Sequence, residues 1–157
     1  MEKFLITKEG HKKLQDEIYH LKNVARPNII VAVAIAREHG DLKENAEYHS
    51  SREKQSMIEA NIVNFEDKLA RSQIVDNSTH SGDVVRFGAT VKLENGDNGK
   101  EVIYTIVSEY EADIDAGLIS NTSPVANALM GKKVGDELEI RTPGGVVDYE
   151  VLEIEYK

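Results

Sequence analysis

Between Tyr48 and Leu69 the residues Tyr48, Ser51, Gln55, Ile58, Ile62, Phe65 and Leu69 recur at alternating steps of three and four. That spacing keeps one stripe of a helix turned toward a partner helix. The stripe is polar at its start and apolar toward its end. A second stripe precedes it: Leu14, Ile18, Leu21 and Ala25 step by four, three and four, and Thr7 is placed to cap the helix that carries them. Pro27 falls inside this first pattern. It lacks an N–H and its ring clashes with the preceding turn, so the spacing predicts a kink near residues 23–28 with the helix continuing beyond. The run Ile29–Ala36 is apolar nearly all round. Taken alone it fits a buried strand, but its alanines and its helical flanks favour a helix in tight contact with a neighbour. Gly40 suits the position just past a helix end. Two stripes joined by a short connection predict an antiparallel helical hairpin, a coiled coil held firmly at its base and more weakly at its tip. The 31 residues from Lys8 to Glu38, at ~1.5 Å each, make a rod of about 45 Å. A small domain cannot bury a rod of that length; its shape is one for reaching.

The connection, residues 37–48, concentrates charge. Asp41 and Glu44 fall three apart across the expected start of the return helix, on one side of its first turn. Paired carboxylates bind a hard cation such as Mg²⁺ through oxygen or act as a general base toward water. Alone they make a weak metal site, because Mg²⁺ keeps several waters and shares ligands with other groups. They suit completing a site that a partner supplies, as in two-metal phosphodiester hydrolysis. The same residues fit a capping box, with Asp41 as N-cap and Glu44 at the third helical position, and pattern alone favours that reading. The two roles are compatible, although a carboxylate bonded to backbone amides has fewer lone pairs for a metal. Arg37 and Arg52 flank the tip and Lys43 lies on it; all three could meet phosphate, or simply be solvated or paired with Glu38, Glu47 or Glu53. His39 and His49 also flank the tip, at a spacing that matches no transition-metal motif with a mechanism.

Asp76–Asp83 is polar and turn-rich, which predicts a linker over 77–82 between a hairpin (1–76) and a second domain (83–157). In that second part the period becomes two. Val84–Phe87, Ala89–Leu93 and Glu101–Val107 read as strands, with a hairpin turn at Asn95–Gly99. Ser123-Pro124 followed by Val125–Met130 and Gly131 reads as a short capped helix. Glu137–Ile140 and Val147–Ile154 read as a further strand pair. The whole is an α+β chain, its second half a curved antiparallel sheet with one short helix.

Charge and composition narrow the partners. Residues 1–78 hold 12 Lys and Arg against 13 Asp and Glu, whereas residues 79–157 hold 7 against 15. An acidic second half repels free nucleic acid, so any nucleic acid this chain works on is expected to be carried by a partner protein. There is no cysteine, hence no disulfide, thiolate zinc site or thiol nucleophile. No apolar run is long enough for a membrane span, and the start of the chain has no signal-peptide pattern. Together these favour a cytoplasmic protein.

Several stretches resemble the Gre family of bacterial transcript cleavage factors. They are Arg26–Ile30, Ala36–His49 (with Asp41-Leu42-Lys43-Glu44-Asn45-Ala46-Glu47-Tyr48 at its centre), Arg52-Glu53, Phe87–Val91, Ser123-Pro124, Gly131–Asp136 and Thr142–Gly145. The likeness extends over essentially the whole chain, and the sparse positive charge fits the less basic branch of the family. The resemblance implies a coiled coil that enters the secondary channel of bacterial RNA polymerase, and a C-terminal module similar to FK506-binding proteins that docks at the channel entrance, with Ser123 and Pro124 as candidate docking residues. It implies that Asp41 and Glu44 help hold a Mg²⁺ shared with the polymerase active site, so that the polymerase itself hydrolyses the 3′ end of backtracked RNA. Arg37 and Arg52 match the positions that contact that RNA. The chain would then stimulate an enzyme without being one. The alternatives are a non-cleaving regulator of the same channel, against which the intact tip motif argues; a peptidyl-prolyl isomerase, which needs an aromatic-lined apolar pocket; and a hairpin chaperone, which needs an apolar tip.

Overall fold

The computed structural model describes residues 2–40, 44–76 and 82–156. The chain divides into two compact units: Met1–Phe4 with His11–Ser72, and Leu5–Gly10 with Gln73–Lys157. The expected linker residues 77–81 lie outside the described residues. The edges of the units differ from the boundaries read in the sequence. Leu5–Gly10 belongs with the β-rich unit because its backbone and side chains bond there: Val75 N–H donates to the Ile6 carbonyl at 3.0 Å, and Thr7 bonds the Glu111 carboxylate.

The first unit is a helical hairpin. Its outgoing arm begins with α1 (Lys8–His20), capped by Thr7, whose hydroxyl accepts the Gly10 N–H at 3.0 Å. Leu14, Ile18 and Leu21 are buried along the expected stripe. The proline is accommodated by a π-helical turn over Leu21–Ala25, which inserts a residue into the ladder ahead of the ring. The Arg26 N–H reaches back to the Leu21 carbonyl, and α2 (Arg26–Glu38) continues with Pro27 in its first turn. Ile29, Val33 and Ala36 face inward, whereas Ile30, Val31 and Ile35 are about half exposed. The apolar run is therefore helical, as expected, but it meets its neighbour on one face only.

The returning arm is α3 (Ala46–Arg71). All seven positions of the three-four stripe are buried or half-buried, with Ile62 the deepest at 2% exposure. Ion pairs cross between the arms: Lys22 to Glu66 at 2.9 Å, and the Arg26 guanidinium to both oxygens of Glu59 at 2.7 and 2.8 Å. The hydrogen bond from Arg26 holds the Glu59 carboxyl below the usual carboxylate range.

In the second unit β3 (Thr90–Asn95), β4 (Glu101–Val107), β5 (Leu118–Ser120), β6 (Glu137–Thr142) and β7 (Gly145–Glu155) form a sheet in the order β5-β4-β3-β7-β6. The pairing is antiparallel except between β4 and β5, which run parallel, so the sheet is mixed rather than wholly antiparallel. A register shift at Lys92/Leu93 marks a bulge between β3 and β7. The short helix α4 (Pro124–Leu129) seals the apolar side, Ala126 and Leu129 packing with Val91, Leu93, Ile106 and Val151. Phe4–Ile6 (β1) and Ser72–Ile74 (β2) make a separate two-stranded sheet.

The expected strand Val84–Phe87 is not one. Its alternation is real, since Val85, Phe87 and Ala89 are all buried, but its backbone bonds go elsewhere. Val85 exchanges bonds with Lys132 and Gly131, the Arg86 N–H donates to the Tyr156 hydroxyl, and the Ala89 N–H closes a turn onto Arg86. The solvent face of the sheet sets like charges opposite one another, Glu94 against Glu101, Glu137 against Glu150 and Glu139 against Asp148. Such pairs repel. Lys92 bonds Glu101 at 3.2 Å among them, and that bond pushes its ammonium pKa up.

Candidate functional site

The hairpin tip is where the sequence concentrates its chemistry. The last turn of α2 ends at His39, whose N–H donates to the Ala36 carbonyl at 3.1 Å. Gly40 follows at φ +129°, a conformation costly for any residue with a Cβ. Asp41, Leu42 and Lys43 lie outside the described residues. Glu44 is exposed and precedes α3, which starts only at Ala46.

The helix start differs from the expected capping box. Asn45, not Asp41, is the N-cap: its side-chain carbonyl accepts the Tyr48 N–H at 3.0 Å. Glu44 is therefore outside the helix rather than at its third position. The correction bears on chemistry. The amide of the first turn is served by Asn45, and among the described residues no group bonds the Glu44 carboxylate, so its lone pairs are not committed to capping. Asn45 does more than cap. Its side-chain N–H donates to the Ala36 carbonyl at 2.6 Å, joining the start of one arm to the end of the other. Sequence reading passed over Asn45; the available signal was a good N-cap residue directly before Ala46.

The two arginines that flank the tip make contacts. The Arg37 guanidinium lies 5.9 Å from the centroid of the Tyr48 ring on the opposite arm, a cation–π distance. Arg52 is exposed on α3 and donates to the Gln55 side chain at 3.0 Å. His39 ends α2, and the His49 ring meets Tyr48 edge-on at 5.6 Å. Among the described residues no group of three His, Asp or Glu side chains is arranged to hold a metal. A single carboxylate such as Glu44 is by itself a weak ligand for a hard cation, which takes several oxygen donors.

In the second unit Ser123 caps α4, accepting the Ala126 N–H at 3.2 Å, and Pro124 opens that helix. This accounts for both residues structurally. A cleft of about 590 Å³ is lined by Ala128, Lys132, Glu137, Leu138, Glu139 and Asp148. It is charged and has no aromatic wall, unlike the apolar pocket a prolyl-peptide substrate needs.

Comparison with known proteins decides the family. The family described as "Transcription elongation factor, N-terminal" matches residues 4–74, and "Transcription elongation factor, GreA/GreB, C-term" matches residues 79–156. The chain belongs to the GreA/GreB family of transcription elongation factors. Transcription elongation factor GreA of Phenylobacterium zucineum is 52% identical over 156 residues, covering 99% of both chains. GreA of Rickettsia canadensis is 54% identical over 155 residues, covering 99% of this chain and 96% of that one. Among solved structures, GreA factor homolog 1 of Thermus thermophilus is 28% identical, with 98% and 99% of the two chains covered and a TM-score of 0.45. The full-length sequence matches make this a GreA-type elongation factor, with the helical hairpin in the N-terminal match and the mixed sheet in the C-terminal one.

Proposed function

We propose that this GreA-type factor binds bacterial RNA polymerase, carries its hairpin tip through the secondary channel to the active centre, and there promotes hydrolysis of the 3′ end of backtracked RNA. The observation that carries the reading is the state of Glu44: an exposed carboxylate ahead of its helix, with capping done by Asn45. A surface turn has no need to leave its acid outside the cap. A tip that lends a ligand does.

In this reading Asp41 and Glu44 are the residues that would hold a Mg²⁺ together with polymerase carboxylates. When bound, that ion would supply Lewis-acid activation of the attacking water and stabilise the leaving oxygen. Glu44 offers oxygen lone pairs from outside the helix. Arg37 and Arg52 supply positive charge toward the RNA phosphates, each already oriented by its neighbour, Tyr48 and Gln55. The acidic sheet of the second unit suits a protein surface better than nucleic acid, and docking by that unit, with Ser123 and Pro124 near the contact, belongs to the same proposal. In this reading the hydrolysis is the polymerase's, and the factor stimulates it.

The test is transcript cleavage in halted polymerase complexes. Asp41→Asn with Glu44→Gln is expected to abolish stimulation while binding to the polymerase persists. Normal cleavage by the double variant would sink the metal role, leaving a channel regulator that does not cleave. Cleavage of free RNA by the factor with Mg²⁺ alone would show an enzyme in its own right.

A further inference from the structure

We infer that Arg37 and Tyr48 form a stacking subsite for an unpaired RNA base, the guanidinium being the platform and the ring its support; the inference rests on the reading that the hairpin meets backtracked RNA. The observations lie on the two helical arms. Arg37 is exposed in the last turn of α2, and its Cζ lies over the Tyr48 ring, 5.9 Å from the centroid. The ring is half-buried and the guanidinium exposed, so a ligand reaches the pair from the guanidinium side. Tyr48 stands at the polar end of the α3 stripe, where Ser51 and Gln55 follow. Apolar contact on the facing arm comes from Val33 and Ala36, both buried on α2. Those contacts fix the backbones that carry the pair, and the ring adds a π face beside a cation.

Helix geometry gathers further groups of the same kind. Positions 48, 49 and 52 fall within about 100° of one another around α3. His49 is exposed and its ring meets that of Tyr48 edge-on, and Arg52 is exposed one turn along. Guanidiniums interleaved with rings suit single-stranded nucleic acid: cations follow the phosphates, and flat π faces accept bases whatever their sequence. Charge alone would serve a phosphate from a lysine. A guanidinium is planar, so its N–H edge donates to phosphate while its face stacks. The RNA 3′ end displaced from its duplex exposes unpaired bases, and such bases stack on aromatic rings or on guanidinium planes.

The test uses halted polymerase complexes built on synthetic RNA whose terminal nucleotide is unpaired and either carries its base or is abasic. The readout is the factor concentration that half-saturates cleavage. For the wild type, removing the base is expected to raise it about 5- to 50-fold, the scale of one base-stacking contact. With the base present, Arg37→Lys and Tyr48→Leu should each show the same rise, and on abasic RNA neither should rise further. Tyr48→Phe keeps the ring and should stay within about twofold of the wild type. A wild-type value for Arg37→Lys on base-bearing RNA overturns the subsite, since lysine keeps the charge. So does a loss at Tyr48→Leu that adds to the loss of the base on abasic RNA, which would make the ring a support of the hairpin alone, or a loss at Tyr48→Phe equal to that at Tyr48→Leu. Arg37→Ala separates the subsite from the reading beneath it. If it weakens engagement of both RNAs equally while Arg37→Lys is normal, contact with RNA phosphate stands and only the stacking falls; if it changes neither, Arg37 does not meet the RNA and both fall.

Discussion

Gly10 stands in the first turn of α1, where glycine is ordinarily about 1 kcal/mol worse than alanine. Gly10→Ala should nevertheless destabilise this protein. A Cβ at residue 10 would lie 2.1 Å from both Cδ and Oε1 of Glu111, so the carboxylate has to leave. It is held there by four donors: the Thr7 hydroxyl and N–H, and the Ser108 N–H and hydroxyl at 3.1 and 2.7 Å. Ser108 is fully buried. Leaving its donors without water or partner costs about 1–3 kcal/mol, and each bond to an ionised acceptor contributes about 1.5–3. Taking one of each as lost and subtracting the alanine gain leaves a net destabilisation of roughly 1.5–5 kcal/mol. The diagnostic is a change of sign. In a Glu111→Ala background the seat is empty, and Gly10→Ala should stabilise by about 1 kcal/mol. Hydrogen exchange at the amides of residue 10 and Ser108 reads the local free energy of this region, and the four proteins form a double-mutant cycle. If Gly10→Ala raises protection equally in both backgrounds, the carboxylate seat does not exist in solution.

Two further predictions concern the hairpin. Ile62→Ala removes the most buried side chain of α3 and should lower stability by about 2–5 kcal/mol, seen as earlier loss of helical circular dichroism in urea; an unchanged midpoint would refute the seam. Glu59, its carboxyl lowered by Arg26, contributes stability that is present above the unfolded carboxylate pKa and lost as pH falls through the lowered folded value. Arg26, raised by the same pair, stays charged over that whole range. Urea midpoints of the wild type and Glu59→Gln should therefore differ near pH 7, converge in acid below the carboxylate range, and converge in high salt; a pH-independent difference would rule the ion pair out as its cause.

The parts of the fold legible in the sequence are those whose signal is local. The three-four stripe from Tyr48 to Leu69 coincides with the buried side of α3 because helix geometry alone places those residues on one face. Thr7 and Ser123-Pro124 cap helices as read, since a cap is satisfied by donors within three residues. The tip shows where this stops. Asp41 and Asn45 both precede plausible helix starts with side chains of similar capping strength. The choice of Asn45 follows from its second bond to Ala36, nine residues earlier and on the other arm. Val84–Phe87 alternates correctly but has no strand neighbour to bond, and β5 is too short, at three residues, to show a period. Gly10 is unexplained until Glu111 is seen 101 positions away.

Periodicity, capping chemistry and charge thus specify by themselves a helical hairpin with an acidic connection and an acidic α+β second half, because each depends only on neighbours in the chain. Tertiary structure alone decides which residue begins α3, which carbonyl the Asn45 side chain bonds, which carboxylate seats against Gly10, and that β5 joins its sheet in parallel. Each of those rests on a hydrogen bond between chemically ordinary groups, and bonds of that kind leave no mark in sequence until the fold brings their two ends within reach.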